Sequence, residues 1–339
     1  TKRIFSGNLI IPDSVETIGS WAFESGAFQD GTWKLGTGLR SVGDAAMSNI
    51  CSGNRGMLFI SSQLATQDTC FGYNTFSEVV FEEGTTTIGT RVVRNSEKIT
   101  SVVLPTTVKT IGGQAFLNCS ALESVVFPNG LQSIGTSAFD GTKISGIYIP
   151  NTVTTINATA FERLPQNSVL YAPNNEIFQL LSEDNSNQWL RRYDRTRTAL
   201  AITNGGIFSA DTTFAVGILN EPIKEGYVFD GWYDNESFNG ESVTDVESGK
   251  TYYAKWIEIE PVELQYSQTK PITVLGMTDM TGWSSSDESV VTVDESGNAT
   301  AVNVGTAKIF AEGIYKGRKQ NFTITVNVSP MLITYGRTS

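Results

Sequence analysis

The sequence contains no histidine, and its 339 residues include only three cysteines. Without histidine the chain lacks Ser-His-Asp and Cys-His nucleophilic arrangements, histidine-ligated zinc and the commonest general base. Cys51, Cys70 and Cys119 are too few and too scattered for a disulfide framework or a four-thiolate metal site. We therefore expect no enzyme, no resident metal and no cofactor.

Long apolar runs and positive charge are also scarce. No run of about 18 apolar residues occurs, so no segment is predicted to span a membrane. The formal net charge is −11, which argues against nucleic-acid binding and against adhesion to anionic lipid. The first residues show no signal peptide, and because the sequence begins at Thr1 within strand-like material, the N-terminus leaves export open.

What the sequence does contain is a repeat. "SIGTSAF" at 133–139 has near-copies at 17–23, 110–116 and 155–161. The anchor residues of this motif are Ile18, Val42, Ile88, Ile111, Ile134 and Ile156, at steps of 24, 46, 23, 23 and 22 residues. The step of 46 fits two units with a degenerate copy at 58–71, so about seven units are predicted. A period of this length is typical of a solenoid.

Each unit predicts a strand, a turn and an inward return. In residues 122–139, Val125 and Phe127 alternate with Ser124 and Val126, which is the period of a half-buried strand. Pro128 ends this strand because proline has no N–H to offer a neighbour. Ala138 and Phe139 are expected to turn inward. No unit can bury its apolar residues alone, so stacked coils must share one core.

The residue after the anchor is glycine in five units and asparagine in the last. Glycine and asparagine are the residues that most readily accept a positive φ. We therefore expect a left-handed corner at these positions, which are Gly19, Gly43, Gly89, Gly112, Gly135 and Asn157.

The repeat pattern, with "NCS" at 118–120, closely resembles the BspA-type leucine-rich repeats of bacterial surface proteins. The resemblance covers residues 1–198 and implies a mainly β solenoid with short helical segments, closed by a strand-plus-helix cap at about 166–198. Gly36 and Ser61 replace the strand-ending proline, and Gln67 stands at an anchor position. Units two and three are therefore expected to be distorted.

Residues 199–256 differ in style. Aromatic strand pieces at 225–240 and 250–256 are separated by glycine and Asp-Asn turns, and with "NGGIF" at 204–208 they resemble the Listeria–Bacteroides repeat, a small β-grasp-like module. Its aromatic residues could form a sugar-stacking platform. A module this small needs large side chains in its core, so we expect core packing. The residues concerned are Trp232, Tyr233, Tyr253 and Trp256.

Residues 257–339 contain short alternating strands with "DESGN" at a hairpin turn. The stretch 283–309 closely resembles bacterial immunoglobulin-like group 2 domains. This resemblance implies an Ig-like β-sandwich with Trp283 in its core, and it implies a spacer or adhesive role on an exported protein.

One pattern in the repeats points to binding. Strand alternation sends one residue per unit outward, and seven of these eight are apolar or aromatic. Contiguous exposed apolar surface indicates an interaction site, although β-propensity alone could select such residues at mid-strand. We call this set the apolar ladder; it comprises Ile10, Phe59, Val80, Val103, Val126, Tyr148 and Tyr171, with Lys34 as the polar exception.

Other chemistry receives weaker support from the sequence. The acidic runs at 81–84, 181–184 and 286–289 fall in predicted turns and are interpreted as solvated. Oxygen-rich stretches at 182–187 and 294–298 lack the spacing of a calcium loop, so calcium binding is unsupported. Cys70 and Cys119 face the core by register, and Cys51 has nearly the register of Cys119, so the thiols are expected to be inert.

The resemblances imply a non-catalytic, monomeric protein at the bacterial cell surface. The solenoid would bind a protein ligand, such as a host matrix or plasma protein, and residues 199–339 would act as a stalk. The alternative is a carbohydrate-binding surface protein of a glycan-capture system, with Trp232 and Tyr148 as stacking platforms.

Overall fold

The computed structural model describes residues 4–6, 8–24, 27–29, 32–43, 46–47, 56–65, 71–157, 159–174, 198–208, 212 and 214–331. These residues form strands and turns but no helix, and thus no helix that could cross a membrane. The resemblance implied short helical segments, and the return side of each coil, opposite the strands, offers a place for them. The described residues there form consecutive turns instead, and the predicted cap helix falls within 175–197, outside the described ranges.

The repeat region is a solenoid of parallel strands. Its strands are β1 (Ile4–Ser6), β2 (Leu9–Ile10), β3 (Thr17–Ile18), β4 (Ala27–Gln29), β5 (Thr32–Lys34), β6 (Ser41–Val42), β7 (Gly56–Ile60), β8 (Phe76–Phe81), β9 (Thr87–Ile88), β10 (Ser101–Val103), β11 (Thr110–Ile111), β12 (Ser133–Ile134), β13 (Gly146–Tyr148), β14 (Thr155–Ile156) and β15 (Ser168–Ala172).

The anchor residues confirm the alignment of the repeat. Ile111 pairs with Ile88 on one side and with Ile134 on the other. Ile134 pairs in turn with Ile156, and Ile18 pairs with Val42. The degenerate unit is a coil of the same solenoid, because β7 lies between β5 and β8 in the sheet. Its expected anchor, Gln67, lies outside the described residues.

One phenylalanine from each of three consecutive coils lines up inside the solenoid. Phe139 is fully buried and stacks on Phe116 below and Phe161 above, with ring centroids 5.1 and 5.7 Å apart. Phe127, from the strand side, packs on Phe139 at 5.4 Å. Each ring is therefore a wall for the next coil, so burial of one motif depends on its neighbours.

The left-handed corner is not at the glycine after the anchor. None of the six predicted residues, Gly19, Gly43, Gly89, Gly112, Gly135 and Asn157, has a positive φ. The left-handed residue comes two positions later, at Trp21, Arg91, Gln114 and Ser137. The prediction of a positive φ at the glycine was therefore wrong.

Glycine is instead required by the close approach of neighbouring coils. A Cβ on Gly135 would lie 2.6 Å from the backbone nitrogen of Gly113, and one on Gly112 would lie 2.8 Å from the carbonyl carbon of Gly89. Real Cβ atoms do not approach backbone atoms this closely. Gly19 occupies the equivalent position in the first coil, and a Cβ there would meet nothing within 4 Å.

We expect Gly135→Ala to lower the free energy of unfolding by about 1–3 kcal/mol, because neighbouring coils must move apart. Gly19→Ala is the matched control, and it should be neutral or stabilising by about 0.5 kcal/mol through the unfolded chain. Urea denaturation followed by circular dichroism compares the two. Equal destabilisation by both substitutions would contradict the close-approach explanation. The requirement for glycine would then have to come from backbone conformation.

A sheet continues through the predicted boundary at 198/199. The middle module, residues 199–256, contributes β16 (Thr198–Ile202), β17 (Tyr227–Tyr233) and β18 (Thr251–Glu258). Strand β16 pairs in parallel with β15, β18 pairs in parallel with β16, and β17 closes the edge antiparallel to β18. The middle module therefore extends the sheet of the solenoid.

Residues 257–331 form two sheets facing each other, as the Ig-like resemblance implied. The strands are β19 (Val262–Gln265), β20 (Thr269–Pro271), β21 (Met277–Ser285), β22 (Val291–Val293), β23 (Asn298–Ala301), β24 (Gly305–Tyr315) and β25 (Arg318–Ser329). The four-stranded sheet has the order β19-β25-β24-β21 and the three-stranded sheet β20-β23-β22. Asp294 accepts backbone hydrogen bonds from Ser296 and Asn298 at the predicted hairpin turn. Trp283 packs at the edge of this core, 6.2 Å from Phe322.

The Ig-like domain is fastened to the middle module around a buried carboxylate. The Asp230 side chain is 2% exposed and lies on β17, facing the tip of the β24–β25 hairpin. Its oxygens accept from two ammonium groups and two phenol hydroxyls, which belong to Lys316 (2.5 Å), Lys255 (3.2 Å), Tyr233 (2.9 Å) and Tyr315 (3.0 Å). Nearby, the amide of Gln320 bonds both the N–H and the C=O of Phe229. The Gln320 side chain thus bonds the backbone of Phe229 as a neighbouring strand would, across the junction of the two domains.

Candidate interaction surface

The N-terminal part of the apolar ladder is exposed as predicted. Ile10 is 64% exposed, Phe59 37%, Val103 46% and Val126 53%, and Val80 is half-buried between its neighbours. Lys34, the polar exception, is exposed. Register explains the alignment, because Lys34 pairs with Phe59, Phe59 with Val80 and Val80 with Val103. Three consecutive coils thus present one apolar row, at Phe59, Val80 and Val103.

The C-terminal end of the ladder is covered, which corrects the expectation for Tyr171. Tyr171 is fully buried, with the rings of Phe208 and Phe214 at 4.7 and 5.0 Å. Its hydroxyl accepts a hydrogen bond from the backbone of Asn220 at 2.9 Å, and burial raises its pKa. Tyr148 is half-buried against Phe208. The middle module, which follows this strand in sequence, packs over the sheet face at this point.

The sheet is interrupted where exposure ends. Residues 122–128 are all described, yet none lies in a strand, although the sequence predicted one around Val125. The alternation of burial persists, because Val125 and Phe127 are each 6% exposed and Val126 is open. The predicted alternation of inward and outward side chains is therefore confirmed, but residues 122–128 do not pair with a neighbouring strand.

A groove of about 420 Å³ lies at this interruption. One wall is the sheet face with Val126 and Tyr148, and the other is the middle module with Ile207, Phe208 and Phe214. Gly146 permits this arrangement, because a Cβ there would lie 2.4 Å from the Cβ of Phe214. The apolar ladder therefore ends in a concave apolar corner.

The aromatic residues of the middle module mostly form a core, as expected. Trp232 is 2% exposed and donates its indole N–H to the carbonyl of Asn220. Tyr233 is 4% exposed, while Tyr253 and Trp256 are half-buried. The indole of Trp256 donates to the carbonyl of Thr203 at 2.7 Å. None of these four residues presents a free flat ring.

Metal binding finds no support in the described part of the chain. No group of three His, Cys, Asp or Glu side chains that could hold a metal occurs there. Glu83 accepts from the Thr106 hydroxyl at 2.7 Å and Asp287 from the Ser289 hydroxyl at 2.6 Å, so these acidic runs bond to local hydroxyls. Residues 181–187 lie outside the described ranges.

Cys119 is a buried structural residue. Its side chain is fully buried and its Sγ lies 3.4 Å from the carbonyl oxygen of Val93. Burial raises the pKa of the thiol to about 12, so it stays protonated at neutral pH. Cys51 and Cys70 lie outside the described residues.

The sequence analysis missed a second group of exposed apolar residues. Ile207 is 52% exposed, Ile223 45% and Phe310 42%. They lie in the middle module and the Ig-like domain, on segments with no repeat to reveal an outward column. The burial pattern of β24 alternates along its length, so Phe310 could have been placed on its outward face. Ile207 and Ile223 carried no such signal.

Comparison with known proteins identifies two parts of the chain. Residues 5–92 and 59–168 match the family model of the BspA type leucine rich repeat region, in six copies, and residues 261–312 match that of the bacterial Ig-like domain (group 2). Residues 199–256 lie outside both matches, so their likeness to the Listeria–Bacteroides repeat stays a prediction. No curated protein matches the chain.

Two solved structures are similar in part. A leucine-rich repeat protein from Bacteroides ovatus is 27% identical, with a TM-score of 0.42 over 49% of this chain and 43% of that one. The pneumococcal vaccine antigen PcpA is 14% identical, with a TM-score of 0.36 over 58% of this chain and 62% of that one. The chain thus spans less than two thirds of the length of either protein.

Proposed function

We propose, for a chain that carries BspA-type leucine-rich repeats and a group 2 bacterial Ig-like domain, a non-catalytic role in which the apolar ladder binds a protein partner. Such repeats and domains are typical of surface proteins that act through protein interaction. The finer proposal is adhesion at the bacterial cell surface, by a monomer, to a host matrix or plasma protein.

The observation that carries this proposal is the exposure of the ladder from Ile10 to Val126, which the exposed Lys34 interrupts between Ile10 and Phe59. Ile10, Phe59, Val103 and Val126 are all more than a third exposed, on one face. Isolated exposed apolar residues need no explanation, but a contiguous row favours an interaction site. β-Propensity explains the residue types but does not require that they be left open.

The carbohydrate alternative has weaker support. It needs open aromatic faces as stacking platforms, but Trp232 is buried and the ring of Tyr148 packs edge-on against Phe208 at 5.8 Å. The exposed part of the ladder is mainly aliphatic, with Phe59 its one exposed aromatic residue. Aliphatic side chains suit apolar side chains of a protein better than they suit a sugar.

We expect Val103→Asp to reduce capture by immobilised fibronectin, fibrinogen and collagen about tenfold or more, the loss typical of truncating an interface centre. The carboxylate would have to be desolvated in the middle of the ladder. Val304→Asp, at a 56% exposed position of the Ig-like domain, is the matched control. Binding is measured by surface plasmon resonance after circular dichroism has verified folding.

Equal binding by the two variants would contradict the ladder as the binding face. A glycan-array signal from the wild type that Val103→Asp does not change would favour the carbohydrate alternative. A lack of binding to all three matrix proteins would exclude those ligands as the proposed partner.

A further inference from the structure

Two exposed isoleucines form an apolar pair on the surface of the middle module. Ile207 and Ile223 form an isolated antiparallel bridge and exchange two backbone hydrogen bonds of 2.8 Å each. Their side chains are 52% and 45% exposed. We call this pair the ribbon. Ile207 lines a groove on each of its two sides.

The groove on the solenoid side is lined without charge. It is the 420 Å³ corner at the end of the ladder, and none of its lining residues is Asp, Glu, Lys or Arg. The apolar walls are Val126, Tyr148, Phe208 and Phe214. In a chain of net charge −11, an uncharged corner of this size selects against charged ligands.

The groove on the other side, about 640 Å³, lies between the middle module and the Ig-like domain. Ile207 and Ile223 face Phe310 and Phe322 across it.

Its charged residues are each occupied by a partner within the protein. These contacts are Lys224 to the carbonyl of Asn204 (3.1 Å), Glu225 to Lys308 (2.6 Å) and Glu312 to Lys319 (2.8 Å). This groove therefore combines apolar walls with charges that are paired within the protein.

Both grooves are held in fixed relation. The sheet runs without interruption from β13 through β15, β16 and β18 to β17, which joins the solenoid to the middle module. The buried Asp230 and the amide pair between Gln320 and Phe229 join the middle module to the Ig-like domain. A preformed site costs a ligand less ordering free energy than one assembled on binding.

We propose that the ribbon and its two grooves bind an extended, uncharged, apolar segment of a protein partner, so that residues 199–331 form half of the binding site and are more than a stalk. This inference rests on the proposed function, because Val126 belongs both to the ladder and to the first groove. Apolar side chains on both sides of the ribbon would find walls of matching character, whereas an anion would meet no lysine or arginine in the solenoid-side groove.

The test pans a phage library of random 12-residue peptides on the full-length chain. The enriched peptides should be apolar and uncharged, and Ile207→Asp and Phe310→Ser should each weaken them about tenfold or more in fluorescence anisotropy. The matched control is Val216→Asp, which changes an equally exposed residue (55%) of the same module outside both grooves and should leave binding within twofold.

Three results would overturn the proposal. Enrichment of charged peptides, or of none, would contradict the apolar preference. Equal binding by Ile207→Asp and Val216→Asp would place the peptides elsewhere. Self-association of the wild type in sedimentation that Ile207→Asp abolishes would assign the ribbon to a second copy of the chain. The ladder proposal fails separately, if Val103→Asp leaves capture of the matrix proteins unchanged while the peptides still depend on Ile207.

Discussion

Phe139→Ala should lower the free energy of unfolding of the solenoid by about 3–5 kcal/mol, the range for removing a fully buried phenylalanine. The ring is a central member of a column that also contains Phe116 and Phe161, and Phe127 packs on it from the strand side. Its loss leaves a cavity bounded by three rings from three different coils. The sheet of β9, β11, β12 and β14 holds those coils in register on one side of the column, so they cannot easily collapse into it.

The measurement is urea denaturation followed by far-UV circular dichroism, with hydrogen exchange to locate the effect. Protection should fall in the coils of Ile111, Ile134 and Ile156 before it falls near Ile18, because each coil depends on its nearest neighbours. Phe139→Leu, which retains most of the buried volume, should cost about 1 kcal/mol. If Phe139→Ala costs less than about 1 kcal/mol, the result would contradict a core that is shared between coils.

The repeat could be predicted because its physical cause is local and periodic. Stacked coils must place equivalent residues at the same height, so the spacing of Ile111, Ile134 and Ile156 already specified their pairing. The glycine prediction failed for a reason of the same kind. A recurring glycine in the sequence indicates that larger residues are excluded. A positive φ and a closely approaching backbone both select glycine, so the sequence alone does not distinguish these two causes. The distances at Gly112 and Gly135 distinguish the two.

The ends of the interaction surface could not be predicted. Alternation along β15 sent Tyr171 outward correctly, but what lies above the sheet is decided by Phe208 and Phe214, some 40 residues later in the chain. Those two residues belong to a segment without repeats, so the spacing of residues in the sequence does not indicate where they pack. The same holds for Ile207 and Ile223, whose exposure depends on how the Ig-like domain sits beside them.

Asp230→Asn should lower the free energy of unfolding of the middle module and the Ig-like domain by about 3 kcal/mol, the size of effect seen when one partner of a buried ion pair is removed. The amide cannot neutralise the ammonium groups of Lys316 and Lys255, which would remain beside it. Glu247→Gln is the control, because its ion pair with Lys250 is exposed on both sides and should contribute less than about 1 kcal/mol.

The same carboxylate predicts how acid acts on this junction. Burial opposes ionisation of Asp230, but hydrogen bonds from Lys316, Tyr233, Tyr315 and Lys255 outweigh it and hold its pKa at about 2. The pKa in the unfolded chain is about 3.9. Because the folded value is the lower one, the contribution, on the order of 2 kcal/mol, is complete above pH ~4 and is lost as the pH falls toward 2.

Urea titrations at pH 7, 4 and 2.5 would therefore separate this carboxylate from the others of the chain. The wild type should lose stability between pH 4 and 2.5 more steeply than Asp230→Asn, whereas Glu247→Gln should keep the full slope. If Asp230→Asn retains the wild-type slope and stability, the carboxylate does not hold the two domains together. The fixed spacing of the two grooves would then have to come from the amide pair between Gln320 and Phe229 and from Val228 and Ile259, which pack into the core of the Ig-like domain.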